Sequence, residues 1–126
     1  MIKTLLQVSA AAEVGAGVAL IVVPSAIVGL LIGGPLESAT ALSVARLAGA
    51  ALVTLGLICW FASRDSQSRA AAGVVAALVF YNTAAVGVLL YARLGADLTG
   101  PGIWFAIALH AALAGWCLAS LRRTAV

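Results

Sequence analysis

The chain has 126 residues, of which 64% are hydrophobic and only 9% are charged. A soluble domain carries about 25% charged residues, so a water-soluble fold is excluded and lipid must surround most of the surface. The net charge of +3 does not indicate nucleic-acid binding, because the basic residues lie at segment ends and form no basic, aromatic-studded surface.

The chemistry-bearing motifs of soluble enzymes are missing from the sequence. Cys59 and Cys117 form no CxxC pair, which argues against a thiol oxidoreductase, and we interpret both as buried packing residues. The Gly33-Gly34-Pro35 stretch lacks the Lys of a phosphate-binding loop and is predicted to be a turn. We therefore predict no catalytic residue, no metal and no cofactor, and we favour a protein that is not an enzyme.

Four apolar segments, at about 4–32, 38–62, 70–94 and 101–121, each exceed the ~20 residues that cross a bilayer. Pro24 predicts a kink or short break in the first segment. Ser38 and Ser68 are predicted helix caps, and Pro101 is expected in the first turn of the fourth helix. The sequence thus predicts an all-α protein, a single four-helix transmembrane bundle over residues 1–126.

The distribution of basic residues predicts the orientation of this bundle. Five of them fall on one side, whereas only Arg93 falls on the other; the five are Lys3, Arg64, Arg69, Arg122 and Arg123. Since basic loops stay on the cytoplasmic side, both termini and the central loop are expected there. The expected location is the plasma (inner) membrane of a bacterium.

Each apolar segment carries one strongly polar residue in its interior: Glu13, Arg46, Asn82 and His110. Such residues are expensive in lipid and usually face a shared interior. At a rise of ~1.5 Å per residue, counted from the predicted cytoplasmic end of each helix, Glu13, Asn82 and His110 lie ~14–18 Å deep in the membrane. Arg46 lies ~24 Å deep by the same count. We predict that the four form a polar centre that binds a proton or ligand, with Ser9, Tyr81 and Cys117 as secondary residues.

Two compatible roles are open for Glu13 and Arg46. They are expected to form a buried ion pair between the first two helices, whose disruption would cost ~3–5 kcal/mol. The second role, which is compatible with the first, is that Glu13 binds a proton or a substrate. Ala45, Gly49 and Gly56 form a stripe of small residues beside Arg46, which predicts a helix-packing seam.

His110 has three open roles: proton relay, metal or haem ligation, and a hydrogen bond across the bundle. A lone histidine without a second His or a Cys-rich cluster disfavours ligation. Asn82, which follows Tyr81, is better explained by an interhelical hydrogen bond than by a substrate contact.

Two family resemblances follow from these residues. Ala12-Glu13-Val14 in the first of four helices resembles the small multidrug resistance transporters, which implies that Glu13 binds protons and cationic substrates alternately. Arg46, His110 and the strong bias of basic residues depart from that family's pattern. A second resemblance rests on more residues: Arg46-Leu47-Ala48-Gly49-Ala50, Leu55-Gly56-Leu57-Ile58-Cys59-Trp60, Tyr81-Asn82 and His110. These residues are similar to those of small uncharacterised DoxX-like bacterial membrane proteins. The resemblance implies a fold and no mechanism.

The sequence therefore favours a small multi-pass membrane protein whose polar centre binds or transports a proton or small polar ligand. The alternative is a non-catalytic accessory or assembly subunit in which the same centre only stabilises the fold. Membrane lipid is the expected partner, and a homo-oligomer or a larger membrane complex is left open.

Overall fold

The computed structural model describes residues 1–124, which form five helices and contain no strand. They are α1 (Ile2–Val22), α2 (Pro24–Ile32), α3 (Ala39–Arg64), α4 (Arg69–Leu94) and α5 (Ile103–Thr124). All but α2 are long and apolar enough to cross a membrane. The prediction of an all-α four-helix transmembrane bundle is confirmed, and this is the architecture of a multi-pass membrane protein.

The first apolar segment is divided where the sequence places a proline. Pro24 has no N–H and its ring clashes with the preceding turn, so α1 ends at Val22 and Val23 adopts φ −130° and ψ 56°. The short α2 then ends at Gly33, whose φ of 86° favours a residue without a Cβ. The predicted break at Pro24 is confirmed.

The predicted serine caps are also confirmed. Ser38 Oγ accepts a hydrogen bond from the Ala41 amide at 3.0 Å, and Ser68 Oγ accepts one from the Ala71 amide at 3.1 Å. The expectation for Pro101 is wrong by two residues, because α5 begins only at Ile103. The turn before it is held against α2, where the Gly102 amide donates to Leu30 O at 2.8 Å.

The spanning helices associate mainly as two pairs, α1 with α3 and α4 with α5. Glycines bring α1 and α3 together: a Cβ added at Gly17 would lie 2.6 Å from Gly49 O, and one added at Gly49 would lie 2.7 Å from Gly17 O. Further along, a Cβ at Gly56 would lie 2.7 Å from Val14 Cγ2. This antiparallel contact confirms the packing seam predicted at Gly49 and Gly56.

The hydrophobic core lies toward one end of the bundle, where α1 and α4 begin and α3 and α5 end. It takes residues from all four spanning helices, including Leu5, Leu6, Cys59, Val75, Leu78 and Cys117. Both cysteines are free and fully buried there. We call this end the basic end, because it carries Lys3, Arg64, Arg69, Arg122 and Arg123.

The outer surface of the bundle is apolar. Phe80 in the middle of α4 is 78% exposed, as expected only if lipid covers it. Exposed aromatic residues also lie near both ends: Trp60 and Phe61 near the basic end, Tyr91, Trp104 and Phe105 near the other. Aromatic side chains at both ends are typical of the two interfaces of a membrane.

Candidate functional site

Glu13 lies near the middle of α1 and is only 4% exposed. Of the four acidic residues in the sequence, it alone lies inside a spanning helix. The Tyr81 hydroxyl donates a hydrogen bond to its Oε2 atom at 3.3 Å. Within residues 1–124 the only salt bridge joins Arg93 to Asp97, so Glu13 is a buried carboxyl group without a basic partner.

Arg46 does not lie at this carboxyl group, so the predicted ion pair with Glu13 is wrong. The side chain is exposed, and its Nε donates to Ile21 O at 3.3 Å, in the last turn of α1. The register of the glycine seam explains this: Gly49 lies opposite Gly17, which leaves Glu13 opposite a part of α3 further from Arg46. Arg46 instead satisfies a carbonyl at the helix terminus, where positive charge is favourable.

Asn82 and His110 form the second part of the site. Asn82 is 1% exposed, and its Nδ2 donates to Leu78 O at 2.8 Å. His110 Nδ1 lies 2.8 Å from Asn82 Oδ1. Because Oδ1 can only accept, Nδ1 must carry a proton, and in the neutral ring the lone pair is on Nε2. This contact joins α4 to α5, which is the interhelical role expected for Asn82.

Tyr81 brings the two parts together. Its hydroxyl contacts Glu13, and its ring meets the His110 ring edge-on, with centroids 5.7 Å apart and planes at 84°. An edge-on ring contact is favourable, but it is not a hydrogen bond. The site is thus two hydrogen-bonded pairs, Tyr81–Glu13 and Asn82–His110, that adjoin through this ring contact.

The two other secondary residues have different surroundings. Ser9 is 1% exposed, one helical turn from Glu13, and its Oγ makes no hydrogen bond within the described chain. Cys117 is a free thiol in the hydrophobic core, about two turns from His110. Within the described residues, Ser9 is therefore an unsatisfied polar group one helical turn from Glu13, whereas Cys117 contributes apolar packing.

Metal ligation is one of the three roles that the sequence predicts for His110. Between residues 1 and 124, no group of three or more His, Cys, Asp or Glu side chains could hold a metal ion. His110 Nδ1 is already engaged with Asn82, which leaves Nε2 as the one ring atom available to a ligand.

The sequence predicts Tyr81 as a secondary residue, whereas in the structure Tyr81 contacts both Glu13 and His110. The available signal was the phenolic hydroxyl in the middle of an apolar segment, because such a group must find a polar partner. Glu13 lies at a similar depth and was the obvious acceptor. Charge alone pairs Glu13 with Arg46 in the sequence prediction, which leaves the Tyr81 hydroxyl without this acceptor.

No family model, curated protein or solved structure matches the chain. The resemblances to small multidrug resistance transporters and to DoxX-like proteins therefore stay predictions.

Proposed function

We propose that this is a small multi-pass membrane protein whose polar centre binds, or carries across the membrane, a proton or a small polar ligand at Glu13. The proposal rests on one observation: the Glu13 carboxyl group is buried in a spanning helix and forms no salt bridge with any residue of the described chain. A buried ionised carboxylate is costly without a counter-charge. Binding a proton or a cationic group removes that cost.

The neighbours of Glu13 support binding of a small polar species. The Tyr81 hydroxyl contacts one carboxyl oxygen, and the unsatisfied Ser9 hydroxyl lies one turn away on the same helix. Hydroxyl groups can donate and accept, so both can adapt when the carboxyl gains or loses a proton. The ring contact between Tyr81 and His110 is not a hydrogen bond, so we assign binding to Glu13 and a positioning role to His110.

The first test measures proton binding directly. Infrared difference spectra of the purified protein, recorded across a pH titration, should contain the carbonyl band of a protonated carboxyl group. The band should disappear in Glu13→Gln and persist in Glu37→Gln, whose carboxyl group lies outside the spanning helices. The exposed carboxyl groups of Glu37, Asp65 and Asp97 give bands of their own in the parent and in Glu13→Gln. A titrating band of a buried carboxyl group that survives Glu13→Gln would contradict the assignment.

The second test asks whether the bound species moves. Proteoliposomes with an internal pH indicator should show proton flux under an imposed potential, and Glu13→Gln should abolish it. The glutamine keeps an acceptor for the Tyr81 hydroxyl, so thermal stability should be nearly unchanged. The same comparison with His110→Ala should lower stability and reduce flux only partly.

One observation favours the alternative, an accessory or assembly subunit with a purely structural polar centre. Both hydrogen-bonded pairs join different helices, Glu13 to Tyr81 across α1 and α4, Asn82 to His110 across α4 and α5. Interhelical hydrogen bonds alone can hold a bundle together. No flux in the parent protein and no titrating band from a buried carboxyl group, together with lower stability in His110→Ala, would favour this function. A second copy or another membrane subunit would then be the partner.

The proposed orientation places the basic end in the cytoplasm of a bacterial cell, in the plasma (inner) membrane. The five basic residues at that end support it through the preference of such residues for the cytoplasmic side. In whole cells, a membrane-impermeant thiol reagent should label Glu37→Cys but leave Ser66→Cys unlabelled. The native cysteines are fully buried and should give little background. The reverse labelling pattern would overturn the orientation.

A further inference from the structure

A pocket of about 310 Å³ opens at the basic end, between the start of α1, the α3–α4 loop and the end of α5. Its polar lining comprises Lys3, Ser66, Gln67, Ser120 and Arg123. A second pocket of about 420 Å³ adjoins it, sharing Ser66, Gln67 and Arg123 and adding Ser68 and Arg69 at the start of α4. This region is separate from the polar centre around Glu13.

Ser120 provides the most specific observation at this place. The residue is 1% exposed, and its Oγ has no hydrogen-bond partner among residues 1–124. Buried hydroxyl groups nearly always have a partner, because an unsatisfied one costs about 1–3 kcal/mol. Since Ser120 lines the pocket, a bound polar group there would supply that partner.

The charges around the pocket are almost all positive. Lys3, Arg69 and Arg123 form no salt bridge in the part of the chain that the structure describes. Asp65 is the one acidic residue of the α3–α4 loop. Arg64 is directed elsewhere, because its guanidinium lies 5.7 Å from the centroid of the Trp60 ring.

The backbone adds further hydrogen-bond donors to this region. The amides of Ser66, Gln67 and Arg69 make no hydrogen bond within the described range. The last of these belongs to the first turn of α4, a helix of 26 residues, whose N-terminus carries a partial positive charge. Basic side chains, together with a hydroxyl and amides that have no partner among residues 1–124, line these two adjoining pockets. Such a set of donors favours an anion that accepts several hydrogen bonds.

We propose that this pocket binds a phosphate group, with Ser120 Oγ and the basic side chains of Lys3 and Arg123 as its principal contacts. A phosphate monoanion or diester offers the multiple acceptor oxygens that these donors require. Because the pocket lies where the helices end, the phosphate belongs either to the headgroup of an anionic lipid or to a soluble molecule. The proposal is independent of Glu13, and Glu13→Gln should bind phosphate as the parent does.

The test measures the thermal unfolding midpoint of the purified full chain in a neutral detergent. The probes are inorganic phosphate at constant ionic strength, short-chain phosphatidylglycerol, and an uncharged glycolipid with the same acyl chains. We expect phosphatidylglycerol or phosphate to raise the midpoint and the glycolipid to leave it unchanged. A rise with phosphatidylglycerol alone identifies a lipid headgroup, and a rise with inorganic phosphate identifies a soluble phosphate.

Ser120→Ala distinguishes a specific site from a diffuse attraction of charges, because it leaves the net charge unchanged. It should weaken apparent phosphate affinity about tenfold, since a hydrogen bond to a charged group is lost. Without phosphate, the same variant should be as stable as the parent or more so. Lys3→Gln and Arg123→Gln should each weaken binding about fivefold.

Arg93→Gln is the matched control, because Arg93 lies at the opposite end of α4 and pairs with Asp97 there. It should leave phosphate binding unchanged. The proposal is overturned if no phosphate probe raises the midpoint. It is equally overturned if Arg93→Gln weakens binding as much as Arg123→Gln while Ser120→Ala has no effect.

Discussion

The two helix pairs of this bundle are held together in different ways. Where α1 meets α3, Gly17 and Gly49 bring the backbones so close that neither position has room for a Cβ. Where α4 meets α5, the contact includes the hydrogen-bonded side chains of Asn82 and His110. Lipid is as apolar as a helix surface, so helices in a membrane associate through close packing or interhelical hydrogen bonds.

This difference has a functional consequence. At its closest points the glycine seam brings backbone atoms of α1 and α3 against each other, and the side chains that touch these points, such as that of Val53, are apolar. The polar contact lies beside Tyr81, which links it to Glu13 on the first pair. The first pair thus supplies the carboxyl group, and the second supplies the Tyr81 hydroxyl that donates to it.

The largest effect is expected from filling the glycine seam. Gly49→Ala places a Cβ 2.7 Å from Gly17 O, so α1 and α3 must separate, and stability should fall by about 1–3 kcal/mol. Thermal or denaturant unfolding in detergent measures the change. The control is Gly87→Ala on α4, where an added Cβ meets nothing within 4 Å. It should be neutral or stabilising, and equal losses in both variants would contradict a specific seam.

Much of this architecture could be predicted from the sequence. Apolar segment lengths, the proline at 24, the serines at 38 and 68 and the small residues at 49 and 56 each determine structure locally. The hydrogen-bond partner of Glu13 could not be predicted from such local features. Counting residues gives the depth of a side chain along its own helix. It does not show which residues of two neighbouring helices lie opposite each other, because that register depends on where the two backbones make contact.

A smaller effect is expected from separating the polar pair. Asn82→Ala and His110→Ala, alone and together, form a double-mutant cycle across α4 and α5. Interhelical hydrogen bonds in membrane proteins contribute about 0.6 kcal/mol on average and up to about 1.7, so a favourable coupling of this size is expected. Unfolding free energies of the four proteins measure it. Additive losses would show that the 2.8 Å contact contributes nothing of its own.

The smallest effect is expected at Arg46, and it tests whether the first pair depends on its glycines alone. Arg46 Nε donates to Ile21 O at 3.3 Å, a side-chain contact between α3 and the end of α1. Arg46→Gln removes a positive charge from a helix C-terminus, where such a charge contributes about 0.3–1 kcal/mol. Arg46→Lys, the control, keeps the charge and should recover part of that loss. A loss of ~3–5 kcal/mol in Arg46→Gln would instead be the sign of a broken buried ion pair and would restore Arg46 as the partner of Glu13.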